Sequence, residues 1–311
     1  MTASEPAFSW ISSIRTDVGM VRKVNEDACL NRAEDGLWAV ADGMGGHAAG
    51  DVASGRIIKE LAAADASDGL SSTATDIERR LIRLNLELRE LASSENMSTI
   101  GSTVAALLLA GKFGMCIWTG DSRVYRVRNG QIEQLSQDHA FVEDLVEKGI
   151  LSREDAAGHP QSNLVTRAVG AQDHLKLDME IFDLQDDDIF VLCSDGLDKE
   201  LSEQEIAAAT LSHAPDAISQ ELVNLALARG ARDNVTVASV TVVAQQRQSA
   251  TAGNPAADDE VKELQREADE DTGARTDFSR LACNTNPSPI LDDEAVTVRR
   301  RDLPPGDTSK D

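Results

Sequence analysis

The stretch Leu37-Trp38-Ala39-Val40-Ala41-Asp42-Gly43-Met44-Gly45-Gly46-His47 carries five apolar residues in a row and stops on an aspartate and a cluster of glycines. An apolar run of that length, bounded by Gly36 in front and Asp-Gly behind, reads as a buried strand ending in a turn. The same sentence is written twice more. Gly114–Thr119 runs into Gly120-Asp121-Ser122-Arg123, and Asp188–Cys193 runs into Ser194-Asp195-Gly196. Further strand-like pieces are Thr103–Leu109, Val124–Val127 and Val235–Val243. Gly111-Lys112 and Asn129-Gly130 supply hairpin turns, the second of a type that tolerates positive φ. Helical patterns lie between the strands. Ala48–Ala64 is Ala-rich, and Asp76–Leu91 repeats Ile77, Leu81, Leu84, Leu88 and Leu91 at helical spacing. Pro215–Arg229 repeats Ile218, Leu222 and Leu225 and stops at Gly230, a C-terminal cap. Antiparallel strands with helices grouped between hairpins predict an α+β layered sandwich rather than alternating βαβ units.

Outward from these strands, residues 8–243 read as one folded unit of the 311-residue chain. Aromatic residues are only 3% against 41% hydrophobic overall, so the core must be built from Ala, Val, Leu and Ile. The formal net charge of -24 argues against nucleic-acid backbones and anionic membranes as partners, since both require clustered Lys and Arg. Cys29, Cys116, Cys193 and Cys283 are scattered without a C-x-x-C pair, which fits a reducing compartment better than a zinc site or a disulfide framework. Met1–Trp10 lacks a basic region followed by an apolar run, and no segment is apolar enough to span a bilayer, so the expected location is the cytoplasm. From Ala244 onward Gln, Ser, Ala, Asp, Glu and Pro dominate. Residues 244–311 are expected to form an acidic, mostly disordered tail, with a solvated helix over Asp258–Asp271 and a solvated basic run at Arg299–Arg301.

Five acidic motifs punctuate the folded part: Arg22-Lys23-Val24-Asn25-Glu26-Asp27, Asp42-Gly43, Gly120-Asp121, Ser194-Asp195-Gly196 and Asp233-Asn234-Val235-Thr236. Taken singly, Asp42 or Asp195 is an ordinary turn residue, Asp233 merely precedes a strand, and Glu26 belongs on a surface. Three of the five nevertheless place an aspartate at the end of a strongly apolar strand, and strand ends of one sandwich can converge on one rim. Converged carboxylates repel by about 4 kcal/mol per pair at ~4 Å and an effective dielectric of ~20. A hard divalent cation is the natural counter-charge, and an oxygen-only site favours Mg²⁺ or Mn²⁺ over zinc. Gly43 lets a main-chain carbonyl approach such an ion, and Arg22 is the anion-binder beside Glu26 and Asp27.

In this order the motifs resemble the metal-dependent PPM, or 2C-type, protein serine/threonine phosphatases of the bacterial branch. Thr99-Ile100-Gly101-Ser102-Thr103, Asp138-His139 and Asn163–Gly170 are similar to secondary signatures of that family. The resemblance covers about residues 8–243 and implies a four-layer αββα sandwich of two mainly antiparallel sheets flanked by helices. It implies hydrolysis of phosphoserine and phosphothreonine on proteins by a hydroxide bridging two Mn²⁺ or Mg²⁺ ions. Asp42 would bridge the metals, Asp195 and Asp233 would complete one, and Glu26 with the Gly43 carbonyl would serve the other. Asp27 would orient metal-bound water, Arg22 would bind the substrate phosphate, and Asp121 would hold a weaker third metal shared with Asp195. The stretch from Ala140 to Ser162 matches the family's flap beside the active site.

Two positions depart from the family pattern. Met44 stands where animal members carry a proposed general-acid His, and His47, three residues on, does not inherit that role. Lys199, preceded by Asp198, stands where relatives often place an aspartate, which puts the third metal in question. The implied partners are phosphoprotein substrates and a cognate Ser/Thr kinase system, with Asn163–Gly170 and Cys193–Leu201 faintly similar to phosphatases of type VI secretion. Two other readings stay open at this point: a catalytically inactive phosphatase-like binding module, and another metal-dependent phosphohydrolase on an unrelated scaffold.

Overall fold

The computed structural model describes residues 7–45, 49–162, 164–245 and 296–300. In chain order the described strands are β1 (Ala7–Asp17), β2 (Asp27–Arg32), β3 (Leu37–Gly45), β4 (Ile100–Ser102), β5 (Val104–Ala110), β6 (Phe113–Thr119), β7 (Arg123–Arg128), β8 (Gln131–Gln134), β9 (Leu177–Asp183), β10 (Ile189–Cys193), β11 (Val235–Gln245) and β12 (Val296–Arg300). The helices are α1 (Gly50–Ala62), α2 (Gly69–Ser94), α3 (Phe141–Glu147), α4 (Arg153–Ala157), α5 (Asp195–Asp198), α6 (Glu203–Ser212) and α7 (Ile218–Ala228). One sheet has the order β1-β11-β10-β7-β8; the other runs β12-β9-β6-β5-β3-β2, with β4 joined to β3. Every pairing is antiparallel except β12 with β9.

The period-two alternation of strand side chains turns these two sheets into four layers. On β3, Leu37, Ala39 and Ala41 pack with Ile57 and Leu61 of α1 and with Ile77, Leu81, Leu84 and Leu88 of α2. Trp38 and Val40 point the other way, into the space between the sheets, where they meet Trp118, Phe190, Leu192 and Val240. On β10, Phe190 and Leu192 fill that inner layer, whereas Val191 and Cys193 face Ile206 of α6 and Leu222 and Val223 of α7. The order is therefore helices, sheet, sheet, helices: the four-layer αββα sandwich. Each buried Leu, Val or Ile stabilises it by ~1.5–3 kcal/mol. The few aromatics pair up where they are needed most. Trp10 meets Trp38 edge-on at 5.8 Å, and Phe182 stacks on Phe190 at 5.3 Å between the sheets.

Local differences from the expected elements have identifiable causes. Helix α2 begins at Gly69, seven residues before Asp76, because Thr73 and Ala74 are buried against the core; tertiary packing overrides the modest helix propensity of its Ser and Thr residues. Gly230 follows α7 at φ 91° and donates its N–H to the Leu227 carbonyl at 2.9 Å, as a terminating glycine should. β1 was not legible because its Ser9, Ser13 and Thr16 interrupt the apolar pattern; it is an edge strand held by eleven register partners on β11. α6 did carry a signature, a capping box between Ser202 and Glu205.

Two described strands fall within the expected tail from residue 244. β11 runs on to Gln245, and Val296–Arg300 is a strand in parallel register with Leu177–Ile181 of β9. Val-Thr-Val suits a pleated surface, and the outer edge of β9 offers backbone groups for pairing. The remaining tail, including Asp258–Asp271, Cys283 and Arg301, lies outside the described residues. Among the described residues no helix is long and apolar enough to cross a membrane.

Candidate metal centre

A cavity of about 440 Å³ opens at one rim of the sandwich, and Arg22, Glu26, Asp42, Gly43, Asp121, Asp195 and Asp233 all line it. They arrive from five separate places. Asp42 sits near the end of β3, Asp121 two residues after β6, and Asp195 begins α5 after β10. Asp233 precedes β11, and Glu26 precedes β2. Asp27 is the remaining residue singled out from the sequence. It opens β2 in register with Asp42, and it is buried behind the lining at 9% exposure. Met44, Leu164 and Val165 complete one wall.

The backbone around these carboxylates is tightly bound. Asp42 donates its N–H to Thr103 Oγ1 at 3.0 Å and accepts the Thr103 N–H at 2.9 Å. Thr103 in turn shares a 2.7 Å hydroxyl bond with Ser122. Asp27 Oδ2 accepts from Ser194 Oγ and Thr236 Oγ1, both at 2.7 Å. Asn234, only 5% exposed, knots the rim together. Its Oδ1 accepts the Glu26 N–H at 2.8 Å, and its Nδ2 donates to the carbonyls of Val18 and Val24 at 2.9 and 3.0 Å. Gly43 is required by space: a Cβ there would stand 2.1 Å from the Gly50 carbonyl oxygen and 2.6 Å from that of Glu26.

Burial and mutual repulsion lift the carboxyls of the cluster. Burial, reinforced by Asp27, Asp195, Asp121 and Asp233, holds the Asp42 carboxyl well above the usual range. Burial with Asp195 and Asp138 pushes Asp121 up to about 7 despite the opposing Lys199. Burial pushes Asp27 up to about 6, against the lowering effect of its two hydroxyl donors. Asp195 is raised by burial, while Lys199 opposes the rise. Two cations are drawn in: Arg22 Nη2 lies 3.0 Å from Asp233 Oδ2, and the Lys199 ammonium pairs with Asp195 Oδ2. In this arrangement no group of three or more His, Cys, Asp or Glu side chains among the described residues is gathered tightly enough to hold an ion.

The donor set itself fits a hard divalent cation. It is made of oxygen alone, and Oδ1 of Asp195 and Oδ1 of Asp27 are buried with no hydrogen-bond partner. A divalent charge would satisfy such atoms and relieve the repulsion that lifts these carboxyls.

Of the Asp198-Lys199 pair, only Lys199 reaches the cavity. Asp198 turns to Arg123 Nη1 at 3.0 Å, and Arg123 grips Asp138 with its Nε and Nη2. Asp138-His139 thus serves as scaffold: the His139 ring Nδ1 accepts the Gly120 N–H at 3.1 Å, next to Asp121. Residues 140–162 carry α3 and α4, and a bridge between Ala140 and Val165 ties this stretch to the cavity wall. Cys193 is fully buried core, and burial pushes its thiol well up. Gly46, His47 and Asn163 lie outside the described residues. Sequence reasoning missed the roles of Asn234 and Thr103. Both stand inside motifs that were singled out, directly beside an aspartate in one and at the end of the Thr99–Thr103 signature in the other, but hydrogen bonds across 208 residues of chain for Asn234 and 61 for Thr103 leave no local mark.

Known proteins resemble this chain over the same region. The family model described as protein phosphatase 2C matches residues 21–231. The serine/threonine phosphatase stp of Listeria innocua is 34% identical over 239 residues, which are 73% of this chain and 93% of that protein. PppA of Pseudomonas aeruginosa, described as a key regulatory component of T6SS, superposes with a TM-score of 0.71 at 40% identity, covering 76% of this chain and all of its own. The catalytic domain of the phosphatase PstP in complex with 2 manganese ions gives a TM-score of 0.67 at 32% identity over 76% of this chain and 99% of that one.

Proposed function

The chain belongs to the protein phosphatase 2C family of serine/threonine phosphatases, and on that premise we propose that it hydrolyses phosphoserine and phosphothreonine on proteins through a two-cation centre at this cavity. The observation that carries the reading is the convergence of Glu26, Asp42, Asp121, Asp195 and Asp233 on one cavity, with Arg22 at its edge. Asp42, Asp195 and Asp233 would hold one cation, and Asp42, Glu26 and the Gly43 carbonyl the other, with Mn²⁺ or Mg²⁺ as the ion and Asp121 serving a weaker third. Bound there, the cations supply counter-charge for phosphoryl oxygens and a deprotonated water at neutral pH.

The chain's own residues do the rest. Arg22, half exposed at the rim, offers a planar pair of donors to the phosphoryl group. Asp27, buried behind the lining with one oxygen held by Ser194 and Thr236, would orient the attacking water. Met44 cannot donate a proton, so the leaving alkoxide takes its proton from solvent. Residues 8–243 form the catalytic unit in this reading, and the acidic tail is a tether or a recruiting segment. The likeness to PppA, described as a regulatory component of T6SS, supports type VI secretion as the setting; a cytoplasmic location and a Ser/Thr kinase system as counterpart are part of the same proposal.

Hydrolysis of a phosphothreonine peptide should require Mn²⁺ or Mg²⁺ and vanish in EDTA, and Mn²⁺ should raise the melting temperature. Asp42→Asn should lose both effects. Full turnover in chelator, or melting indifferent to Mn²⁺, refutes the proposal.

A further inference from the structure

Two cations of the chain itself stand inside the acidic cluster, and they are placed differently. Arg22 reaches Asp233 from the rim with half of its side chain exposed. Lys199 follows Asp195 by four residues, so the helical turn of α5 folds its ammonium back onto Asp195 Oδ2, and it also lies 3.8 Å from Asp233 Oδ2. The neighbouring Asp198 is committed to Arg123 and contributes no charge to the cavity lining. Lys199 therefore meets two carboxylates from different elements, α5 and the turn before β11, while Asp195 Oδ1 stays buried without a partner.

We infer that Lys199 is a tethered cation that occupies one cation position of the cluster on its Asp195 side and so weakens divalent-metal binding there. The inference rests on the metal-centre reading above. A divalent ion approaching Asp195 meets a fixed unit positive charge, and the repulsion of a 2+ and a 1+ charge is twice that of two unit charges at the same distance. The ammonium cannot diffuse away; it can only swing on its four-carbon stem, which costs the Asp195 pairing. In the absence of metal the same ammonium keeps Asp195 and Asp233 from repelling each other apart. Lys199 is thus a positioning residue that acts through Asp195, and it makes the Asp195–Asp121 side the weakest place for an additional ion.

The test measures Mn²⁺ binding by isothermal titration and equilibrium dialysis on the full chain, comparing wild type, Lys199→Met and Lys199→Arg. Lys199→Met should tighten the weakest class of Mn²⁺ sites by at least about tenfold, or reveal one further equivalent, because the unit positive charge paired with Asp195 has been removed. Lys199→Arg keeps the charge and should bind as wild type does. Melting in EDTA checks that each variant is folded, with Lys199→Gln replacing the Met variant if it is not. Equal or weaker Mn²⁺ binding by the neutral variant overturns this inference alone. No Mn²⁺ binding by any form overturns the metal-centre reading, and this inference with it.

Discussion

Asp27→Asn should stabilise the metal-free protein at alkaline pH while disabling it. Burial pushes the Asp27 carboxyl up to about 6, and Asp195 and Asp233 push in the same direction. An unfolded-chain aspartate titrates near 3.9. Two units at ~1.4 kcal/mol each give a penalty of about 3 kcal/mol for keeping Asp27 ionised in the fold. Between about pH 4 and 6 the native state holds a proton that the unfolded chain has lost, so stability falls as pH rises through that window. The penalty is complete above about pH 7. Asparagine retains an oxygen for the Ser194 and Thr236 hydroxyls, but its amide replaces the unpartnered Oδ1 and leaves buried donors, at a cost of ~1–2 kcal/mol. The net expectation is a gain of about 1–2 kcal/mol near pH 8. Urea unfolding in EDTA at about pH 5 and about pH 8 measures it for both proteins. Asp121, pushed up to about 7, gives both a shared slope, so the quantity of interest is the difference between them. A variant no more stable than wild type near pH 8, with an unchanged m-value, would refute the account of Asp27 as a carboxylate raised by burial and its acidic neighbours.

Arg22→Ala should raise KM for a phosphopeptide about tenfold, with Arg22→Lys recovering only part, since a point charge lacks the two-pronged geometry; unchanged kinetics would remove Arg22 from substrate binding. Asn234→Ala removes three hydrogen bonds of a buried side chain and should cost ~2–4 kcal/mol in chemical denaturation. Its activity should fall further than its stability accounts for, because the loop carrying Arg22 and Glu26 loses its anchor; turnover that tracks stability alone would contradict the anchoring role.

The apolar strands ending on Asp42, Asp121 and Asp195 were legible because a buried strand must be apolar along its length and a ligand at its end must be an interruption of that run. So was the oxygen-only chemistry, since residue type alone sets it. A layered α+β sandwich was legible from the hairpins and grouped helices, and the four-layer order was implied only by the family resemblance. Edge strands β1 and β2 were not legible, because a half-exposed strand need not look like one. Nor was β12 at Val296–Arg300, whose strand partner among the described residues, β9, lies more than a hundred residues earlier. The sequence by itself determined which residues could carry the chemistry. Only the tertiary structure decided that Asp27 is buried and Asp198 is turned away, that Lys199 stands among the carboxylates, and that Asn234 holds the rim. The reason is physical: burial, field and hydrogen-bond partners are properties of elements brought together, and residue identity along the chain fixes none of them.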